Sequence, residues 1–157
     1  MRSHLVIISV IALLALPGCG DSDSSEEAPS AQLPCVVSEG EMAELLDRDD
    51  VAAVPQEDGP RCIYASDGQA LVSVSVRTRE QFDAERDRFE SSGVKLPELV
   101  PVEGFENEAN VDPRYNSLNV TAGGRVISIE IVGTEPSDPE EQLELEKDAA
   151  RAALDSL

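Results

Sequence analysis

The chain has 157 residues, of which 41% are hydrophobic and 3% aromatic, enough for one domain with a core of aliphatic side chains. Its 32 acidic residues against 12 basic ones give a formal net charge of −20, which argues against a nucleic-acid partner because phosphate binding needs clustered Lys and Arg. The one histidine is His4, so the remainder of the chain excludes a Ser-His-Asp triad, a Cys-His pair and an imidazole metal site. We predict no metal and no other cofactor.

The amino-terminal segment predicts export and lipid attachment. After a short polar start, residues 5–16 are almost entirely apolar, which fits the core of a signal peptide but is too short for a stable membrane span. The sequence Leu-Pro-Gly-Cys at 16–19 resembles the lipobox of bacterial lipoproteins. This resemblance implies cleavage after residues 1–18 and diacylation of the Cys19 thiol. An ordinary signal peptide followed by an accidental cysteine is the alternative.

Residues 19–34 are predicted to be the lipidated cysteine and a disordered acidic tether. Past Cys19 this stretch carries four acidic residues, no basic residue and very few apolar ones, so it cannot bury enough surface to order itself. The protein would then be anchored to the extracytoplasmic face of the cell membrane by its lipid. The folded part is predicted to be a single α+β domain over residues 35–157.

The cysteines Cys35 and Cys62 both fall in the predicted domain. In an exported protein a single remaining pair favours a disulfide bond, since disulfides persist outside the cytoplasm. A catalytic thiol is the competing interpretation. It is disfavoured because neither a histidine nor a Cys-x-x-Cys spacing accompanies these cysteines.

The first half of the domain predicts a helix followed by a hairpin. Ser38 and Glu41 have the spacing of a capping box and begin a helix over residues 39–47. Residues 49–60 contain two prolines and are predicted to be a loop. An Asp-Gly pair at 67–68 is a strong signal for a two-residue hairpin turn. The flanking strands are predicted at residues 61–65 and 70–76.

The middle of the domain predicts a surface helix and a long connection. Thr78 and Gln81 cap a second helix, which runs to about Ser92 and has only a thin apolar stripe. Residues 93–114 contain three prolines and are predicted to be a connection without regular structure. This connection is unusually apolar for a loop.

A second hairpin and a last helix complete the predicted domain. A Gly-Gly turn at 123–124 joins strands over residues 115–121 and 125–132. Asp138 as N-cap and Pro139 at the first helical position begin a helix that continues to the end of the chain. We therefore predict an α+β fold: a four-stranded antiparallel sheet built from two hairpins, with about three helices packed on it.

Several short motifs support a resemblance to a known family. They are Pro-Cys at 34–35 before a capped helix, Gly-Pro-Arg-Cys-Ile-Tyr at 59–64 opening a strand, Phe-Asp at 82–83 in the middle helix, and an Ala/Leu helix behind a Gly-Gly hairpin. In these the chain resembles small actinobacterial surface lipoproteins that are grouped as a domain of unknown function. The resemblance implies a surface location, this fold, and one disulfide between Cys35 and Cys62. It brings no catalytic residues.

The connection at 93–114 holds the candidate binding site. Its apolar side chains Leu96, Leu99, Val102 and Phe105 are predicted to frame a groove for an apolar ligand or a segment of an envelope protein. The alternative is that these residues cover an end of the sheet. The acidic cluster at 47–50 lacks the glycine and terminal glutamate of an EF-hand, so a solvated loop is the better interpretation.

These observations leave two classes of function. The first is a membrane-anchored extracytoplasmic lipoprotein that acts as a non-catalytic binding or accessory module of the cell envelope. The second is an envelope hydrolase that uses only carboxylates, whose partners need not be close in sequence. Scarce aromatic residues and the lack of histidine beyond His4 favour the first class.

Overall fold

This computed structural model describes residues 35–57, 59–133 and 136–157, which form one seven-stranded antiparallel sheet and three helices. The predicted signal peptide, Cys19 and the tether lie outside the described residues. In chain order the elements are α1 Glu39–Leu46, β1 Ala52–Pro55, β2 Arg61–Ser66, β3 Gln69–Thr78, α2 Arg79–Ser91, β4 Val100–Pro101, β5 Glu108–Asp112, β6 Ser117–Ala122, β7 Arg125–Ile131 and α3 Pro139–Asp155.

The predicted α+β class agrees with this structure, but the predicted four-stranded sheet is wrong. The strand order is β1-β2-β3-β7-β6-β5-β4. The two hairpins meet at β3 and β7, where Val74 lies opposite Ile129. Beyond them, β1 extends the sheet at one side, and β5 and β4 extend it at the other. The extra strands come from the stretches 49–60 and 93–114, for which the prolines predict loops.

Local helix signals in the sequence are confirmed. In α1 the Glu41 backbone N–H donates to Ser38 Oγ at 3.2 Å, and the Ser38 backbone N–H donates to Glu41 Oε2 at 3.0 Å. Thr78 and Gln81 form the same capping box at the start of α2. At α3 the Asp138 carboxylate accepts from the Glu140 N–H at 2.8 Å. Each cap satisfies backbone donors that the first helical turn leaves free.

The core lies on one face of the sheet. Alternate residues of the central strands point to this face, among them Val72, Val74, Ile127 and Ile129, all of them almost fully buried. Helix α3 packs against β6 and β7 through Ala149, Ala150 and Ala153, which belong to the same core cluster. Because these three side chains are small, the helix backbone can approach the sheet closely.

The opposite face of the sheet is polar and is partly covered by α2. In its middle, Ser75, Ser128 and Asn119 lie side by side on β3, β7 and β6. Phe82 is the one buried side chain of α2, and the Arg77 guanidinium lies 5.4 Å from the centre of its ring. A single apolar anchor is consistent with the thin apolar stripe of this helix. A sheet with one apolar face predicts that the helices pack on that face; α2 instead lies on the polar face, which corrects this expectation.

The predicted disulfide between Cys35 and Cys62 is confirmed. The two Cα atoms are 5.6 Å apart, and the bond joins the segment before α1 to strand β2. Two residues along β2, the fully buried Tyr64 hydroxyl donates to the Val37 carbonyl oxygen at 2.6 Å. The bond and the hydrogen bond together hold the amino-terminal segment of the domain against the sheet.

Candidate functional site

A concave surface lies where the sheet edge formed by β4 and β5 faces the first turns of α3. We call it the edge cleft; its volume is about 500 Å³. Its apolar walls are formed by Val100, Pro101, Val102, Val111, Pro113 and Leu143. This volume falls in the usual range of small-molecule pockets, and mostly apolar walls are typical of them.

Strand pairing and helix spacing build the edge cleft. Val100 pairs with Val111, and the Val102 backbone N–H donates to the Ala109 carbonyl at 2.9 Å, which fixes one wall against the sheet. The other wall comes from α3, where Pro139, Leu143 and Glu146 follow each other at a spacing of three or four residues. Residues at this spacing lie on one helix face, so all three reach the cleft.

The most unusual group in the edge cleft is the carboxyl group of Glu146. The residue is only 2% exposed, and its Oε1 has no hydrogen-bond partner among the described residues. Burial raises the pKa of Glu146 to about 8; the neighbouring Glu130 raises it further, while the backbone of Ile131 acts in the opposite direction. At neutral pH this carboxyl group is therefore mostly protonated.

A second concave surface lies on the polar face of the sheet. We call it the sheet groove; its volume is about 380 Å³, and it is lined by Ser73, Ser75, Arg77, Glu85, Ser128 and Glu130, with Arg61 and Tyr115 at its margins. Arg77 forms an ion pair with Glu85 and donates to Ser128 Oγ at 2.9 Å, and that hydroxyl donates to Asn119 Oδ1 at 2.6 Å. These interactions hold the polar side chains to each other.

Beside the sheet groove, Arg86 and Arg114 form ion pairs with Asp112 at the turn between β5 and β6. The carboxylate of the buried Asp112 lies 3.4 Å from an Arg86 nitrogen and 3.3 Å from an Arg114 nitrogen. The Arg114 guanidinium also stacks 4.6 Å from the centre of the Phe89 ring and 4.0 Å from that of Tyr115. This cluster links α2 to the sheet and so has a clear structural role.

The four residues of the predicted groove lie in different surroundings. Val102 lines the edge cleft, whereas Leu96 lines a separate depression just after α2. Phe105 is half-buried, packs against the core and has the Arg151 guanidinium 5.4 Å from the centre of its ring. Leu99 is half-buried. That these four residues take part in binding stays a prediction, with Val102 the one placed in the edge cleft.

Sequence reasoning missed Glu146. It stands in a run of charged residues in the first half of α3, a composition typical of a solvated helix surface. The signal that could have found it is its spacing, because Glu146 precedes Ala149 and Ala150 by three and four residues and so shares their buried face.

The described residues contain neither a cluster suited to a metal ion nor a membrane-spanning helix. No group of three or more His, Cys, Asp or Glu side chains among them is arranged to hold a metal ion. No helix in the described part of the chain is long and apolar enough to cross a membrane. The predicted lipidation at Cys19 falls outside those residues and stays a prediction.

Comparison of the chain with protein-family models, with curated proteins and with solved structures found no significant match.

Proposed function

We propose that this protein is a membrane-anchored extracytoplasmic lipoprotein that acts as a non-catalytic binding module of the cell envelope. The leader and the lipobox-like sequence ending at Cys19 support the location, as does the resemblance to small surface lipoproteins. The disulfide between Cys35 and Cys62 is in keeping with an oxidising compartment.

The observation that carries the binding role is the edge cleft. It is open to solvent, yet seven of its twelve lining residues are Val, Pro or Leu, and Val100 is left 52% exposed. A ligand with an apolar body would remove this surface from water, and each Å² buried in this way would favour binding by about 25 cal/mol. We therefore propose that the edge cleft, rather than the sheet groove, receives the ligand.

The alternative function, a carboxylate-dependent hydrolase, would use the sheet groove. That groove holds two carboxylates, Glu85 and Glu130, but Glu85 is already paired with Arg77. The Arg77 guanidinium occupies the Glu85 carboxylate, which is then less available to contact a substrate. We accordingly retain the binding module as the proposal.

The binding proposal predicts that a charge placed in the edge cleft abolishes ligand uptake. Val100→Asp, in the full-length chain carrying Cys19→Ala to exclude lipid, should weaken the binding of n-hexanol about tenfold or more, because the new carboxylate must be desolvated. Isothermal titration calorimetry measures this. The matched control is Val54→Asp, on the edge strand at the other side of the sheet, where Val54 is 46% exposed.

The control variant should bind hexanol as the unmodified chain does. Equal weakening by both substitutions would remove the edge cleft as the ligand site.

The anchoring proposal predicts that Cys19→Ala releases the protein from membranes. Two acyl chains contribute about 0.8 kcal/mol for each buried CH₂, and the acidic domain offers no comparable attraction for anionic lipid. Membrane fractionation followed by a salt wash measures the change. Retention of the variant in the washed membranes would show that the lipobox interpretation is wrong.

A further inference from the structure

We propose that the ligand of the edge cleft carries a positively charged amine, and that the carboxyl group of Glu146 binds this amine. The inference rests on the proposed function and specifies the chemical class of the ligand: an apolar body with an ammonium group. It follows from the position, the burial and the missing partner of one side chain.

Glu146 is placed where a ligand entering the edge cleft would meet it. The residue lines the cleft from α3, together with the apolar Leu143 one turn earlier and Val102 on the facing wall. Its Oε1 atom is buried and has no hydrogen-bond partner among the described residues. A buried oxygen without a partner is costly for the protein, and a ligand that donates a hydrogen bond to it would relieve that cost.

The charges around Glu146 favour a cationic donor. Glu130 on β7 and Glu103 at the rim of the edge cleft are both acidic. Lys147 also lines the cleft, but its ammonium group is paired with the Glu144 carboxylate at 2.8 Å. The whole chain has a formal net charge of −20, which raises the local concentration of cations around the domain. An ammonium group therefore complements both the cleft and the wider surface.

Binding of an amine would also change the protonation of Glu146. Because burial raises its pKa to about 8, the group is mostly neutral at pH 7, and a bound ammonium would favour the charged form. The carboxyl proton would then leave to solvent as the ion pair forms. A ligand without charge, such as an alcohol, would enter the same cleft without releasing a proton.

The test compares n-hexylammonium with n-hexanol, whose apolar bodies are the same. Calorimetry at pH 7 in buffers of different ionisation enthalpy gives both the affinity and the number of protons released. The full-length chain with Cys19→Ala should bind hexylammonium about tenfold more tightly than hexanol and release close to one proton. Glu146→Gln should abolish the preference and the proton release while hexanol binding remains. The matched control, Glu140→Gln, removes a charge from an exposed position of the same helix outside the cleft and should retain both.

The outcomes separate the two proposals. If both probes bind equally in the unmodified cleft, or if Glu146→Gln keeps the preference for the amine, the role of Glu146 is overturned while the edge cleft remains a ligand site. If neither probe binds, both this inference and the proposed function are wrong.

Discussion

Replacing both Cys35 and Cys62 by serine should lower the free energy of unfolding by about 3–4 kcal/mol. The disulfide links positions 27 apart in the sequence, and in the loop-entropy model a closed loop of this length restricts the unfolded chain by that amount. Urea denaturation followed by far-UV circular dichroism measures the change. The effect should be large because the bond holds the segment before α1 against β2.

Reductant provides the control for the disulfide. Dithiothreitol should shift the unfolding midpoint of the unmodified protein towards that of the double variant and leave the variant unchanged. A loss below about 1 kcal/mol, or a shift of the variant by reductant, would contradict the assigned role of the bond.

The stability gained by Glu146→Gln should increase with pH. Because the folded protein holds the pKa of Glu146 at about 8 against an ordinary value of 4.5, the unfolded chain loses this proton first as the pH rises. The contribution of Glu146 to the free energy of unfolding is therefore retained below pH 4.5. It falls between pH 4.5 and about pH 8, by about 1.4 kcal/mol for each pH unit. Glutamine does not titrate, so the difference in unfolding free energy between the variant and the unmodified chain should widen across this window.

Urea denaturation at several pH values measures that difference. The other carboxylates titrate alike in both proteins, so their contribution cancels. Glu140→Gln, at an exposed position of the same helix, controls for the loss of one negative charge. A difference between Glu146→Gln and the unmodified chain that stays constant from about pH 5 to about pH 8 would mean that Glu146 is ionised in the folded protein.

The parts of the fold that sequence reasoning predicted are those with a local physical cause. The pair Ser38 and Glu41 can satisfy helix donors without help from the remainder of the chain. The Asp-Gly turn at 67–68 and the Gly-Gly turn at 123–124 supply positive φ angles, since Asp67 has a φ of 51° and Gly123 one of 57°. These signals place β2, β3, β6 and β7 in two hairpins.

The strands that were missed depend on distant partners. Strand β5 has the sequence Glu-Ala-Asn-Val-Asp, and Glu, Asn and Asp are all depleted in strands. It forms because β6 offers a paired edge, with Asn110 opposite Asn119. Strand β4 has only two residues, Val100 and Pro101, and its existence depends on that of β5. Short edge strands of this kind have no periodicity that a sequence could show.

The candidate site was only partly predictable for the same reason. The apolar character of residues 93–114 indicated a covered or ligand-binding surface, and Val102 does line the edge cleft. The sequence did not indicate that α3 would face this segment, because the pairing of β4 with β5 brings it there. Without that neighbour, neither the cleft nor the burial of Glu146 follows from composition.

Amide chemical shifts during a titration with n-hexylammonium test the central claim most directly, because they locate the ligand residue by residue. The ¹⁵N-labelled full-length chain with Cys19→Ala serves as the sample. We predict saturable shifts for Val100, Val102, Glu103 and residues 142–147, which lie on the two walls of the edge cleft, and little change at the sheet groove around Ser75 and Ser128. Shifts confined to the sheet groove, or none that saturate, would contradict the assignment of the edge cleft as the binding site.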